Sequence, residues 1–415
     1  MAVCFAAASV GLPVAIVGIA KVILFLTAAV CLLFAVTIKD PGDETTPRRT
    51  GIAVLVALAA LTLSLLWTTA PLGEATGSLG KYGKLLTIPV IAALLRSRAE
   101  AIYALAAFAI TQLVLVVSAF LLFVKLPVPW AISHTALTFH AVYSSYLAEG
   151  LMAAVFAAVC WHMRAMVPGR YGAHAAIAAA SLALFNVFFV FEGRSGHVVA
   201  VILISLSIMW ALPSRYRLSI ILLPFILLSA LYFASPQVQN RINLVKNEVQ
   251  AFKLEAGSQE GVVSSTGTRL HLWTRALQAI KERPLAGFGV GSWSTEYNRV
   301  DRLHDSKHQD IQPLGNPHQE YLQWGVQLGL VGIAILLAIL TSIFADSRRM
   351  HPMAARTVQS ALVALAVSCL FNSTLYDALV GDFFCVVLGI ALGFGRYPPA
   401  SHPAIPGDRH GARSS

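Results

Sequence analysis

The chain has 415 residues, of which 57% are hydrophobic and only 12% are charged. This number of charged residues is too small to solvate the surface of a soluble protein of this length. The composition therefore excludes an ordinary soluble enzyme and predicts a membrane protein. The formal net charge of +10 would suit a nucleic-acid-binding protein. The basic residues, however, concentrate in loops on one side of the apolar segments, so we predict no nucleic acid partner.

Twelve apolar segments are long enough to span a bilayer, and we expect an all-α polytopic membrane protein. Nine spans lie within residues 1–234 and three within residues 318–396. Gly11, Pro13 and Lys21 are expected to mark the break between the first two spans. The twelve predicted spans are about 3–19, 22–38, 50–69, 83–95, 100–124, 137–161, 172–191, 196–212, 217–234, 320–345, 354–372 and 378–395.

The distribution of basic residues predicts the orientation. Outside the long segment 235–317, most Lys and Arg residues lie in loops on the side of the two termini. The positive-inside rule therefore places the termini in the cytoplasm and segment 235–317 on the outer face. Residues 397–415 are rich in Pro, Gly, His and Arg, and we expect a disordered cytoplasmic tail there.

The long outer segment is predicted to hold two amphipathic helices that lie on the membrane surface. The first covers about 235–252, and its apolar positions are Val238, Ile242, Val245, Val249 and Phe252. The second covers about 268–283, with one face formed by Leu270, Trp273, Leu277 and Ile280. Residues 287–291 alternate glycine with other residues and predict a turn, and the polar residues 298–312 predict a flexible lid.

The most informative stretch runs from residue 316 to residue 332. Asn316 suits an N-cap and Pro317 suits the first helical position, which places His318 in the first turn of a helix that ends near Ala345. A helix start favours a bound phosphate and disfavours an imidazolium, so His318 is a candidate general base. The alternative is a histidine that merely ends a membrane helix at the interface.

Three glycines follow on the same predicted helix, at Gly325, Gly329 and Gly332. Their helical spacing puts them on one face. Because glycine has no side chain, this face is expected to let a neighbouring helix pack closely.

Two arginines are candidate phosphate ligands, because a guanidinium binds phosphate through two parallel hydrogen bonds. Arg194 lies between two spans, where Gly193 and Gly196 permit close backbone approach. Arg269 is predicted to open the second loop helix. A positive charge at a helix start is unfavourable with respect to the helix dipole, so helix stability does not explain an arginine at this position. The alternatives are a snorkelling arginine at 194 and a solvated surface arginine at 269.

Further candidate residues for binding a diphosphate or a glycan lie near the outer face. These are Lys81, Tyr82, Lys84, Asn316, Gln319, Asp377 and Asp382. The lysines would equally suit a lipid headgroup, and the aspartates would equally suit loop residues. We predict no metal and no cofactor, because no clustered carboxylates suggest a magnesium site and no Walker A motif is present.

Three elements of the sequence resemble the O-antigen ligase family. The first is similar to the signature of that family and consists of His318-Gln319, nine further residues and then Gly329-Leu330-Val331-Gly332. Arg194 stands in a Gly-Arg-Ser-Gly element where the family commonly has Ser before Arg, so Gly193 departs from the pattern. Arg269 and Trp273 form an Arg-x-x-x-Trp pattern ahead of a Pro-Leu-x-Gly-x-Gly-x-Gly segment.

The resemblance implies a GT-C-like glycosyltransferase in the bacterial inner membrane, with its active site in the periplasm. It implies that O-antigen polysaccharide passes from undecaprenyl diphosphate to a sugar hydroxyl of lipid A–core. The transfer would be metal-independent and inverting, with His318 as base and with Arg194 and Arg269 neutralising the departing diphosphate.

Alternatives from the same superfamily are an O-antigen polymerase and a protein O-oligosaccharyltransferase. Alternatives of other classes are a transporter or flippase for lipid-linked glycans, and a structural membrane protein. The polar residues cluster at one membrane face and no repeated halves are visible, which favours an enzyme at the interface over a transporter. A structural protein would not need three basic side chains that converge on one face.

Overall fold

The computed structural model describes residues 1–34, 47–217, 222–234, parts of 239–250, 265–304 and 315–397. Every regular element within these ranges is helical. In chain order the α-helices are α1 (Ala2–Ser9), α2 (Val14–Leu33), α3 (Arg48–Leu63), α4 (Leu72–Tyr82), α5 (Thr87–Leu94), α6 (Arg98–Phe123), α7 (Ala136–Phe139), α8 (Tyr146–Met163), α9 (Gly172–Phe185), α10 (Arg194–Ala211), α11 (Leu223–Ala234), α12 (Ser265–Glu282), α13 (Trp293–His304), α14 (Glu320–Ser347), α15 (Pro352–Ser368) and α16 (Ala378–Gly395).

Within the described ranges, 8 helices are long and apolar enough to cross a membrane. They are α2, α3, α6, α8, α9, α10, α14 and α16, some with a short 3₁₀ or π extension. The chain is therefore an all-α polytopic membrane protein, as its composition predicts. The other four predicted spans correspond to the shorter helices α1, α5, α11 and α15, so the number twelve stays a prediction.

Two helices form the centre of the bundle. Nearly every residue of α8 is buried, because α6, α9, α10 and α15 all pack against it. The last helix, α16, is buried along its whole length and packs mainly against α5 and α15. The described outer helix α12 packs on α14, so it is attached to the membrane-spanning bundle directly.

A break between the first two helices is present around Gly11 and Pro13, but it lies at residues 10–13 and not between the predicted spans 3–19 and 22–38. Helix α2 runs through Lys21 without interruption. The Lys21 ammonium lies 2.6 Å from a carboxylate oxygen of the buried Asp382 in the last helix. A charged side chain within a membrane-spanning helix costs free energy unless it is paired. The ion pair with Asp382 therefore explains why a lysine is tolerated inside α2.

The described part of the outer segment differs from its predicted outline in two ways. The first amphipathic helix lies mostly outside the described residues. The second is α12, which begins three residues before the predicted start. Of its predicted face, Ile280 is buried and Trp273 packs against the same cluster, whereas Leu277 is exposed. The other buried residues of α12 are Leu272, Ala276 and Ala279. Residues 298–304 belong to helix α13 and are not an irregular lid; residues 305–314 lie outside the described part, as does the predicted tail from residue 398.

The glycine-rich turn at 287–291 is confirmed, and it joins three elements. Gly287, Gly289 and Gly291 all have positive φ, which glycine adopts without strain. The backbone N–H groups of Phe288 and Gly289 donate to the carbonyl oxygens of residues 326 and 327, at 2.9 and 2.8 Å. The Phe288 carbonyl accepts from the backbone of Thr69 at 3.0 Å. The turn therefore ties α14 to the segment that follows α3.

The predicted glycine face of α14 is wrong in its geometry, because the helix is kinked at Gly329. This residue has φ +64° and ψ −153°, a conformation reserved almost entirely for glycine. A Cβ at Gly325 would lie 2.5 Å from Ile280 of α12, and one at Gly332 would lie 2.4 Å from the carbonyl oxygen of Trp324 in its own helix. The glycines therefore accommodate the end of α12 and the kink.

We expect Gly329→Ala to destabilise the protein by about 1–3 kcal/mol. The added Cβ would lie 2.5 Å from the Pro284 carbonyl oxygen and 2.6 Å from the Leu285 carbonyl carbon. Thermal unfolding of the detergent-purified protein would measure the change. Gly18→Ala is the matched control, because a Cβ there meets nothing within 4 Å. Equal melting temperatures for the two variants would contradict this account of the kink.

Candidate functional site

A cleft of about 370 Å³ lies where the first turns of α8, α10 and α12 meet. Arg194 and Arg269, far apart in the chain, both line this cleft. Its other lining residues are Tyr146, Leu147, Glu192, Ser195, Val198, Thr266, Leu270, Trp273 and Phe371. Two cavities of about 320 and 350 Å³ elsewhere are bounded almost wholly by apolar side chains between membrane helices. The cleft is therefore the stronger candidate for chemistry on a charged substrate.

Close packing of α10 against α8 delivers Arg194 to the cleft. A Cβ at Gly193 would lie 3.3 Å from the Leu147 Cα, and one at Gly196 would lie 3.1 Å from the carbonyl carbon of Gly150. The expectation that these two glycines allow close backbone approach is confirmed. Arg194 is the first residue of α10, and it lies at the end of this helix that lines the cleft.

Helix α12 positions Arg269 in the same cleft. The inner face of α12 packs against Trp293, Tyr297 and Val300 of α13. An ion pair of 2.6 Å between the Arg275 Nε and an Asp301 carboxylate oxygen reinforces this contact. Arg269 lies in the second turn of α12 and does not open the helix as predicted, because the helix begins at residue 265.

The two arginine-bearing helices meet directly. An Nη1 atom of Arg194 donates a hydrogen bond of 3.3 Å to the Thr266 hydroxyl, one turn before Arg269 on α12. The spacing of Arg194 and Arg269 is therefore set by a contact between their helices.

His318 precedes helix α14 and does not lie within its first turn, which corrects the predicted capping. The N-cap is Gln319, whose side chain accepts from the Leu322 backbone at 2.5 Å. His318 has φ +53°, and its N–H donates to the Asn316 side-chain oxygen at 2.9 Å. Asn316 and Gln319 thus shape the backbone on either side of the histidine.

Helix α12 also contacts the segment that carries His318, although His318 itself is not among the residues that line the cleft. The Trp273 indole N–H donates to the Pro317 carbonyl oxygen at 3.1 Å. The His318 side chain is half-buried. Burial, and secondly the positive charge of Arg269, lower the pKa of His318 from its ordinary value of 6.5. The imidazole is therefore kept neutral, as a general base requires.

Three of the remaining predicted binding residues have structural roles. Tyr82 is fully buried, and its hydroxyl donates to Glu320 at 3.3 Å. Lys84 is buried and donates to the Asp377 carbonyl oxygen. Asp382 forms the buried ion pair with Lys21. None of the three lines the cleft, because each is directed into the protein interior.

The last two candidates lie nearer the surface. The exposed Lys81 places its ammonium 4.0 Å from the centre of the Tyr376 ring. The side chain of Asp377 caps α16 by accepting from two backbone N–H groups, at residues 379 and 380. Neither lines the cleft, and their proposed contacts with substrate remain predictions.

Sequence reasoning missed several residues of the site. Glu320 is buried two residues after His318. A carboxylate at the start of an apolar span could have identified it as a candidate functional residue. Tyr146 and Phe371 line the cleft, but no pattern in the sequence distinguishes them from other aromatic residues at a membrane interface. Among the described residues, no group of three or more His, Cys, Asp or Glu is arranged to hold a metal ion.

Comparison with known proteins connects this geometry to a family. Residues 178–337 match a family model described as O-antigen ligase. This range contains Arg194, Arg269 and His318. A protein of Haemophilus influenzae described as uncharacterized is 33% identical over 108 residues. Those residues are 26% of this chain and 26% of that protein, so the match spans about a quarter of the relative's length.

Proposed function

Because residues 178–337 match the family model described as O-antigen ligase, we propose that the protein transfers O-antigen polysaccharide to lipid A–core. The family supports a glycosyltransferase of ligase or polymerase type that acts on lipid-linked glycans in a membrane. The proposed donor is undecaprenyl diphosphate carrying the glycan. The proposed acceptor is a sugar hydroxyl of lipid A–core, at the periplasmic face of the inner membrane.

One observation supports this proposal most directly: Arg194 and Arg269 line a single cleft, and Trp273, which also lines it, donates a hydrogen bond to the Pro317 carbonyl oxygen next to His318. A reaction on a diphosphate donor needs cations where negative charge develops and a base where a proton is lost. The three side chains come from three separate segments of the chain. A helix bundle that only spans the membrane would have no reason to place two arginines from separate segments in one cleft.

The proposed reaction is a single displacement. The acceptor hydroxyl oxygen forms a bond to the anomeric carbon of the donor while the bond from that carbon to the diphosphate oxygen breaks. The diphosphate leaves with the electron pair, and Arg194 and Arg269 stabilise its increased charge. His318 accepts the hydroxyl proton. One displacement inverts the anomeric centre, and every step uses residues of this chain and the two substrates.

The pH dependence of transfer should reflect the lowered pKa of His318. A base acts in its deprotonated form, so the rate should stay level as the pH falls through 6.5, the ordinary histidine value, and should decline only at lower pH. In Arg269→Gln the residual activity should decline at a higher pH than in the wild type, because a charge that lowers this pKa has been removed. Initial rates from pH 5 to 9 would measure both profiles. A decline at the same pH in both proteins would contradict the assigned base.

The experiment that tests the function is complementation in a host that lacks its own ligase. We expect the wild-type protein to restore the lipopolysaccharide ladder on a gel. A ladder that stays absent, with polymer accumulated on the lipid carrier, would mean that the protein uses another acceptor or transports the carrier.

A further inference from the structure

Glu320, two residues after His318, is completely buried. One of its carboxylate oxygens accepts from the backbone N–H groups of Leu375 and Tyr376, at 2.9 and 3.2 Å. The other accepts from the Trp324 indole N–H at 3.0 Å and from the Tyr82 hydroxyl at 3.3 Å. Four donors around two oxygens suit a carboxylate, which only accepts hydrogen bonds.

These contacts connect Glu320 to His318 through the loop at residues 373–376. The carboxylate holds the end of this loop, and the Ser373 hydroxyl oxygen in the same loop accepts from the Gln319 backbone N–H at 3.2 Å. Gln319 directly follows His318, whose backbone has a left-handed conformation. The loop therefore holds the histidine backbone from its C-terminal side, while Asn316 and Trp273 hold it from the other.

We propose that Glu320 is a positioning residue for His318: its carboxylate holds loop 373–376 against Gln319 and so fixes the backbone that carries the imidazole. The inference rests on the proposed function, because it concerns the base of that reaction. It also gives Tyr82 its role, since the Tyr82 hydroxyl completes the set of donors around the carboxylate.

The competing explanation is that Glu320 only stabilises the fold, and the same helix offers a control for it. Asp346 lies near the opposite end of α14 and is also buried. One of its carboxylate oxygens accepts from the backbone N–H and from the hydroxyl of Thr50, at 2.9 and 2.8 Å. Asp346 thus resembles Glu320 in burial and in bonding but lies far from the cleft.

The test compares Glu320→Gln with Asp346→Asn in the purified full-length protein in lipid vesicles. A glutamine keeps the size of the side chain but places an NH₂ group opposite one pair of donors, so the contacts of that pair are weakened. For equal amounts of folded protein, we expect Glu320→Gln to lower kcat roughly 10- to 100-fold with little change in KM, because the base is misplaced. Asp346→Asn should leave both constants near their wild-type values.

Hydrogen exchange provides a second measurement that does not depend on the reaction. We expect faster exchange of the amides in residues 316–320 and 373–376 in Glu320→Gln, and wild-type exchange there in Asp346→Asn. Ser373→Ala should act in the same direction, because it removes the acceptor of the Gln319 N–H without altering the buried carboxylate. It also serves as the test if Glu320→Gln does not fold.

A wild-type kcat in Glu320→Gln, or unchanged exchange at both segments, would overturn the proposal. Equal losses of kcat in Glu320→Gln and Asp346→Asn would also overturn it, since they would show a general effect on the fold. If the wild type transfers no glycan but Glu320→Gln still exchanges faster at these segments, the proposed function fails while the link between Glu320 and His318 stands.

Discussion

Replacing His318 with alanine should slow glycan transfer roughly 100- to 10,000-fold, the usual contribution of a positioned general base. The acceptor hydroxyl would then have to lose its proton to water. Binding of the donor should change little, because the proposed diphosphate ligands Arg194 and Arg269 remain in place. The measurement is the single-turnover rate with a labelled lipid-linked donor and purified acceptor in vesicles.

Two control variants separate loss of the base from disturbance of the backbone. Asparagine tolerates the left-handed conformation of residue 318 better than most residues do, but it is not a base. We therefore expect His318→Asn to be as slow as His318→Ala. His174→Ala, at an exposed position elsewhere, should keep the wild-type rate. A fast His318→Asn variant would show that position 318 matters for its backbone shape and would remove the assignment of the base.

Replacing Arg194 should have the next largest effect. The loss of one group that stabilises charge in a transition state typically slows a reaction roughly 100- to 1,000-fold, and we expect this for Arg194→Ala. Arg194→Lys should recover only part of the rate, because lysine keeps the charge but loses the planar fork that binds two phosphate oxygens. Lysine would also not reproduce the guanidinium hydrogen bond to Thr266, which joins α10 to α12.

The matched control is Arg215→Lys, an exposed arginine just beyond the other end of α10 that stacks on Tyr216. It should transfer glycan at the wild-type rate. The same single-turnover assay applies to all three arginine variants. A wild-type rate in Arg194→Lys would mean that Arg194 contributes charge alone, and a wild-type rate in Arg194→Ala would exclude it from the reaction.

The sequence predicted the parts of the site that depend on local patterns. The close packing at Gly193 and Gly196 follows from two glycines near the start of a span, and the structure confirms it. The turn at 287–291 follows from alternating glycines. The motif that contains His318 was recognised by its spacing. Each of these signals lies within a few consecutive residues, so no knowledge of the tertiary structure was needed.

The errors arose where distant contacts override local preference. Asn316 was predicted as a helix cap, but the loop at 373–376 binds the Gln319 N–H, and the helix begins one residue after Gln319. The regular glycine spacing of α14 suggested a straight helix, but the turn after α12 occupies the space beside Gly329. Tyr82 was predicted to bind substrate, and that contact stays a prediction; in the structure its hydroxyl donates a hydrogen bond to the buried Glu320.

The sequence by itself determined that this chain is a helical membrane protein, which segments are apolar enough to cross a bilayer, and which motifs contain a candidate base and candidate phosphate ligands. Composition and short spacings suffice for these conclusions, because hydrophobic length and helix periodicity are local properties. Only the tertiary structure decided that Arg194 and Arg269 share one cleft, that Glu320 holds the loop beside His318, and that Lys21 pairs with Asp382, 361 positions away. Such contacts depend on how helices pack, and packing is decided by side chains from many parts of the chain at once.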